Sequence, residues 1–450
     1  MRRGGGIGRT TVFGVVCSLL VLATYGTASA APTGYKTLVN RGVVPGVRYI
    51  KLKNLLVPNL VYILRVDLLE PIRFAPGLAH RGSGYERTSS MVARYGAVAG
   101  VNGDFTGGRA LGGRPLHDFA QKGTFKFSSQ VPISANVAVS RDESTSYMGP
   151  TARDIDLWVQ GTPDPLHIAR WNAGLPATSQ IAAYTRDRQI PNYDGCSVRL
   201  KKDGPLVWSG KHQAVTRPFL VRKHVCGKVL DPYRGATLAA HSGTPEADSL
   251  QALGHKRVHV SWTVGWPHVW STIGGFPILV ENRKVVAPAT CPSYFCGRNP
   301  RTGVGFTGKG KLLLVVVDGR STESKGMTLT QFGHLFIQLG AVNALNMDGG
   351  GSATMVVQGK VKNHPSDSTG ERAVTSSILL MRQPSAVTAL GPESSRSELR
   401  GGGHPDAALT DPGSTGGLLD ALATGAFGPT RLDPASREIV ARYRRGLGQT

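Results

Sequence analysis

Acidic residues are the scarce component of this sequence, with 29 Asp and Glu against 52 Lys and Arg and a formal net charge of +23. An acidic surface is therefore excluded, and the field attracts polyanions such as nucleic acid, phosphate-containing wall polymers or acidic surfaces. Cysteine is rare as well, five in 450 residues. No internal repeat is visible, which removes the repeat architectures. Neither HExxH nor GxSxG occurs and the twelve histidines are scattered, so zinc peptidase and serine hydrolase readings have no motif to rest on.

What is present begins with a leader. Arg2, Arg3 and Arg9 form a basic n-region, Val12 to Ala23 an apolar h-region, and Thr27-Ala28-Ser29-Ala30 offers small residues for cleavage after Ala30. Residues 1–30 thus read as a signal peptide, and the apolar run is too short to span a bilayer. A lipoprotein site at Cys17 is disfavoured by Val15-Val16, where small residues are wanted. The mature chain keeps about +20 and is expected to be secreted, extracellular or wall-associated, with no transmembrane segment. An anionic wall polymer is then a better partner than nucleic acid. Leader removal leaves Cys196, Cys226, Cys291 and Cys296. Exported chains keep such thiols oxidised, and the short Cys291–Cys296 spacing favours pairing those two and leaving Cys196 with Cys226. A zinc site would need a second close Cys or His pair.

The expected fold class is α+β: a β-rich mixed-sheet catalytic domain over 31–382 with a βαβ-like C-terminal segment, then a low-complexity, largely disordered tail over 383–450. Tyr49 to Leu52 and Val61 to Leu69 have the apolar, β-branched texture of strands. After Gln383, Gly, Ser, Pro and Ala dominate, apart from one candidate helix from Pro434 to Leu447 carrying Arg437, Arg442, Arg444 and Arg445. Leu312 to Val317 predicts a buried strand ending at Asp318-Gly319-Arg320. Thr328 predicts the cap of a helix with Leu329, Phe332, Leu335, Phe336 and Leu339 on one face, stopped by Gly340. Ala344 to Met347 predicts a second strand ending at Asp348-Gly349-Gly350-Gly351-Ser352, and Ala353 to Lys362 a hairpin turning at Gln358-Gly359. Strand ends are where α/β sheets host ligands.

Gly303-Val304-Gly305-Phe306-Thr307-Gly308 matches a GxGxxG string, and with Lys309-Gly310 it nearly completes a P-loop. Both motifs need a strand before and a helix after; this segment precedes a strand and reads as a turn between strands. The remaining pieces are Asn102-Gly103-Asp104-Phe105, Ile273-Gly274-Gly275-Phe276-Pro277, Asn299-Pro300-Arg301-Thr302, the two Asp-Gly motifs, and Asn363 with Asp367, Glu371 and Arg372. In this order and spacing the chain resembles the phosphodiester glycosidase family, most densely from Ser271 to Leu380. Asp104 departs from the pattern, which has a small or aromatic residue there.

The resemblance implies a hydrolase that cleaves a glycosyl-1-phosphodiester, a carbohydrate substrate, at the anomeric C–O bond. The residue types suit that reaction. Carboxylates stabilise an oxocarbenium ion and one can serve as nucleophile or base; Asp348, Asp318 and Glu371 are the candidates. The departing phosphate needs a cationic clamp, for which arginine supplies a planar fork; Arg301, Arg320 and Arg372 are the candidates. Backbone N–H groups of Gly349, Gly350 and Gly351, with Ser352, can approach phosphate or sugar oxygens, and Asn102 and Asn363 can hold sugar hydroxyls. Asp104 and Asp367 read as structural. No cofactor is required. The alternatives are a metal-dependent phosphodiesterase with Asp318 and Asp348 as Ca²⁺ or Mg²⁺ ligands, and a non-catalytic wall-polymer binding protein.

Overall fold

The computed structural model describes residues 31–383 except 81–83, 107–112, 132–133, 142–144, 188–189, 211–213 and 290. The leader and the tail beyond Gln383, including the candidate 434–447 helix, lie outside the described residues. Within them the chain is β-rich: two eight-stranded sheets, two five-stranded sheets and one two-stranded ribbon.

The first eight-stranded sheet carries the site. Its central strands are the strongly apolar Leu60–Asp67 and Lys311–Val317, which pair antiparallel from Lys311 with Asp67 to Val317 with Val61. Arg301–Thr307 and Ala341–Asn346 follow in the sheet. Alternate side chains from Tyr62, Leu64, Leu312, Leu314 and Val316 enter a core shared with the strands Ala99–Asn102, Met355–Val357 and Ser376–Arg382 of a five-stranded sheet. Burial on both faces explains why these strands read as continuous apolar runs.

The helix forms as expected, Leu329–Gln338, with Thr328 and Gln331 making a reciprocal capping box and Phe332 and Phe336 buried. The strands on either side of it do not pair with each other, because Arg301–Thr307 lies between them and pairs antiparallel with both. The strand, helix and strand thus follow in the expected order with the two strands parallel, but a third strand is inserted between them. The parallel pairing that makes the architecture mixed joins Leu166–Trp171 to Ile181–Tyr184 elsewhere.

One local expectation is corrected here. The segment from Gly303 is a strand as far as Thr307, not a turn, and the turn comes at its end, where the Gly310 N–H bonds to the Thr307 carbonyl. Its glycines leave room for the helix: a Cβ at Gly303 or Gly305 would lie 2.8 Å from ring atoms of Phe332 or Phe336. The hairpin at Gln358-Gly359 forms, joining Met355–Val357 to Lys360–Val361. Both expected disulfides, Cys196–Cys226 and Cys291–Cys296, are formed.

The second eight-stranded sheet spans residues 154–263 and has its own core around Ile155, Leu157, Val198, Leu238, Val260 and Trp262. No helix among the described residues is long and apolar enough to cross a membrane.

Candidate active site at the strand ends

Because both Lys311–Val317 and Ala341–Asn346 run opposite to the strand between them, they run in the same direction and end at one edge. That places Asp318 and Asp348 on the same side. Arg301 opens the intervening strand at that edge, opposite Val317. Asn102 arrives from the neighbouring sheet: its Nδ2 donates to the Asp348 carbonyl (2.6 Å), and its Oδ1 accepts from the Thr302 hydroxyl (2.7 Å) and the Thr354 N–H (3.1 Å). Fully buried and so engaged, Asn102 is a pin between two sheets; the expectation that it holds a sugar hydroxyl is corrected.

Asp348 keeps part of its surface open to solvent. Burial of the carboxyl group pushes its pKa up to about 6, against hydrogen bonds from Ser352 and the Gly349 N–H that favour the charged form. The nearby Asp104 carboxylate adds to the rise and Arg372 opposes it. Asp104 is buried and accepts from the Phe105 N–H (2.7 Å), the His117 N–H (2.7 Å) and the His117 ring Nδ1 (2.6 Å). Burial alone would lower the His117 imidazole, but the Asp104 carboxylate against it reverses the sign and holds it above its ordinary range. Asp104 is thus structural in its bonds while its charge acts on Asp348. Such a raised, partly accessible carboxyl is a feature of functional sites.

Asp318 is only 4% exposed at its side chain, and each oxygen accepts two hydrogen bonds. Oδ2 takes the Tyr62 hydroxyl (2.8 Å) and His364 Nδ1 (3.0 Å); Oδ1 takes the His364 N–H (3.0 Å) and Asn363 Nδ2 (3.2 Å). Burial, and then the adjacent Asp318 charge, push the Tyr62 phenol well above its usual range, so it stays a donor. Asp318 therefore orients His364, whose side chain is 69% exposed. With Nδ1–H given to the carboxylate, Nε2 is an acceptor on the solvent side. Sequence reasoning missed His364; the signal was its place directly after Asn363, inside the Asn363–Asp367 segment. Asn363 itself braces the turn, donating to the Ala353 carbonyl (2.9 Å) and accepting from the Met355 N–H (2.7 Å), and is not directed at a ligand. A carboxylate with four donors already on it fits poorly as a hard-cation ligand.

The three arginines separate. Arg301 is 3% exposed and donates to the carbonyls of Met327 (2.9 Å), Phe295 (2.7 Å) and Gly297 (2.6 Å). Burial, with Arg320 nearby, lowers its pKa to about 10. It staples the disulfide-closed loop, whose Phe295 ring meets Phe105 and Phe276. Its Nε and Nη2 are thus spent on positioning that loop rather than on a ligand. Arg320 is exposed, held by Asn299 Oδ1 (2.9 Å) and Ser366 Oγ (3.5 Å), with its guanidinium over Gly350. Arg372 grips Asp367 with two bonds (2.6 and 2.8 Å) while 47% of its side chain stays exposed. Asp367 raises its pKa, so the cation is secure.

Between these two cations runs the glycine turn Gly350–Ser352. A Cβ at Gly351 would meet the tips of the Asp367 and Arg372 side chains, so this ion pair packs directly on the glycine. Two of the three glycine N–H groups are engaged internally, Gly349 with Asp348 Oδ1 and Gly350 with the Pro300 carbonyl, both at 2.9 Å. Glu371 points elsewhere: its carboxylate accepts from the Ser89 N–H (2.7 Å) and hydroxyl (2.5 Å) at the start of the helix Thr88–Arg94. Its expected catalytic role is corrected to anchoring that helix, whose N-terminus favours an anion. Among the described residues, no three His, Cys, Asp or Glu side chains group as a metal site.

The fold and site are those of a β-rich protein with carboxylates and arginines gathered at strand ends. Residues 227–381 match the model of the phosphodiester glycosidase family, and the chain resembles that enzyme family. Over 106 residues it is 40% identical to the SPbeta prophage-derived uncharacterized protein YomE of Bacillus subtilis, covering 24% of this chain and 16% of that protein. Over 67 residues it is 46% identical to the N-acetylglucosamine-1-phosphodiester alpha-N-acetylglucosaminidase of Bos taurus, covering 15% of this chain and 12% of the relative. The chain thus matches only about an eighth to a sixth of the length of these curated relatives. A hypothetical protein from Synechocystis shares the fold with a TM-score of 0.59 at 18% identity, over 77% of this chain and 63% of that one. A putative exported protein of Burkholderia pseudomallei does so with a TM-score of 0.55 at 20% identity, over 72% and 74%.

Proposed function

We propose that this protein is an exported hydrolase that cleaves a glycosyl-1-phosphodiester at the anomeric C–O bond. Water supplies the hydroxyl to the sugar, and the electron pair of the broken bond leaves with the phosphate monoester. The observation that carries this reading is the juxtaposition of the partly open Asp348 carboxyl with Arg372 and the adjacent Arg320 across a glycine turn. Asp348 acts as the carboxylate: a phosphate leaves without a strong proton donor, whereas the oxocarbenium carbon needs a negative group beside it. Desolvation makes that anion more basic and more reactive than an exposed one. Arg320 and Arg372 receive the charge developing on the phosphate, where preorganised donors contribute most. His364, oriented by Asp318, presents Nε2 at the same edge to accept a proton from water. The basic surface favours an anionic wall or extracellular polymer as the source of substrate.

Hydrolysis of defined sugar-1-phosphodiesters in oxygen-18 water tests the bond broken. Label in the sugar is the expected outcome. Label in the phosphate would mean P–O cleavage and overturn the assignment.

A further inference from the structure

The second eight-stranded sheet contains a cavity of about 260 Å³ that the strand-end site does not use. It is lined by five cations, Lys126, Arg186, Lys202, Arg217 and Arg234, against one carboxylate, Asp187. Asp187 is already taken by Lys126 (2.9 Å) and the Thr185 hydroxyl (3.2 Å). The other four cations make no ion pair with a carboxylate among the described residues. Arg217 gives one bond to the Gly204 carbonyl (3.1 Å), and Arg186 and Arg234 both lie 5.5 Å from the centre of the Tyr233 ring. The Lys202 ammonium sits below the ordinary lysine range, through desolvation first and then through Arg217 and Lys126. Unneutralised cations gathered around a concavity are costly to the folded state unless an anion enters.

The rest of the lining is aromatic and points to what carries that anion. Trp171, Trp262, Phe125 and Phe219 supply the apolar wall. The indole Nε1 of Trp262 is satisfied by the Gly123 carbonyl (2.9 Å), but that of Trp171 is buried with no hydrogen-bond partner. Aromatic faces beside a few convergent polar groups form the usual lining of a small-molecule site. Four of the five cations precede residue 227, outside the stretch matched by the family model.

We propose that this cavity is a second, non-catalytic binding site for an anionic sugar unit, with a phosphate-bearing sugar as its ligand. The phosphate meets Lys202, Arg217 and their neighbours, whose several donors match its three oxygens better than the two of a carboxylate. The sugar ring lies against the aromatic wall. This site would hold a polyanionic glycan on the protein, and it stands whether or not the strand-end chemistry is as proposed, because it is read by binding alone.

Tryptophan fluorescence tests it, since Trp171 and Trp262 lie in the cavity and the strand-end residues include no tryptophan. N-acetylglucosamine-1-phosphate, inorganic phosphate, glucuronic acid and N-acetylglucosamine are titrated into wild type, Lys202→Gln and Asp348→Asn, with calorimetry in parallel. The sugar phosphate should perturb the fluorescence of wild type and Asp348→Asn alike and bind more tightly than any of the other three. Lys202 is exposed, so Lys202→Gln should keep the fold while weakening binding about tenfold to a hundredfold, the usual effect of losing one charged hydrogen bond. Arg186→Gln, also at an exposed position, provides a second variant with the same expectation. Binding lost in Asp348→Asn, binding unchanged in both cavity variants, or no preference for the sugar phosphate over the other three probes would each overturn the proposal.

Discussion

Replacing Asp348 by Asn should stabilise the protein while removing its activity, and the two effects have one cause. The carboxyl is lifted from an ordinary 3.8 to about 6. Each unit corresponds to about 1.4 kcal/mol, which sets a ceiling near 3 kcal/mol. Partial solvent access screens some of this, leaving about 1–3 kcal/mol. The sign follows from proton uptake: between about pH 4 and pH 6 the native state retains a proton that the unfolded chain has released, so native stability falls as pH rises through that window. The Asp348→Asn variant carries no such slope, and its side-chain amide keeps an oxygen for the Gly349 N–H. Urea unfolding of both proteins should therefore show the variant ahead at pH 7 and the gap closing at about pH 4. Turnover of a sugar-1-phosphodiester should fall by about a hundredfold to ten-thousandfold. In wild type it should rise with pH through about 6, as the carboxylate forms. A variant less stable than wild type at pH 7, or a gap independent of pH, would refute the electrostatic argument; retained turnover would refute the assignment of Asp348.

Other predictions follow from the same geometry. Arg320→Ala and Arg372→Ala should each cost about a hundredfold to a thousandfold on a sugar-1-phosphodiester and much less on the matched aryl glycoside; equal losses on both would sink the clamp. Arg301→Ala should instead leave three carbonyls without their donor and destabilise the fold by about 3 kcal/mol or more, which chemical denaturation measures. His364→Ala should destabilise by only about 1–2 kcal/mol, the loss of one donor to the Asp318 carboxylate, yet lower turnover markedly; an unchanged rate would remove His364 from the mechanism. Gly351→Ala should disrupt the Asp367–Arg372 pair and reduce activity with the phosphate-dependent pattern of Arg372→Ala, whereas wild-type kinetics would show that the turn yields freely.

The sequence by itself determined what local patterns and short spacings encode. The apolar run before Asp318, the Thr328 cap, the Gln358-Gly359 hairpin and the Cys291–Cys296 loop each depend on residues a few positions apart, so periodicity and turn chemistry suffice to read them. A strand, a helix and a strand in succession already suggested that Asp318 and Asp348 share an edge, but the strand inserted between them was not legible. Only the tertiary structure decided which of the gathered residues remain available. Arg301, Arg320 and Arg372 are alike as letters, but Arg301 spends its Nε and Nη2 on three backbone carbonyls. Glu371 meets Ser89, 282 positions away, and Tyr62 meets Asp318, 256 positions away. Asp104 raises the Asp348 carboxyl from the bend after another sheet's strand, and Gly303 and Gly305 keep a strand clear for two phenylalanines of a later helix. Hydrogen bonds and Coulomb terms act over ångströms of space, not along the chain, so the sequence names the groups and folding alone settles which of them remain open to a ligand.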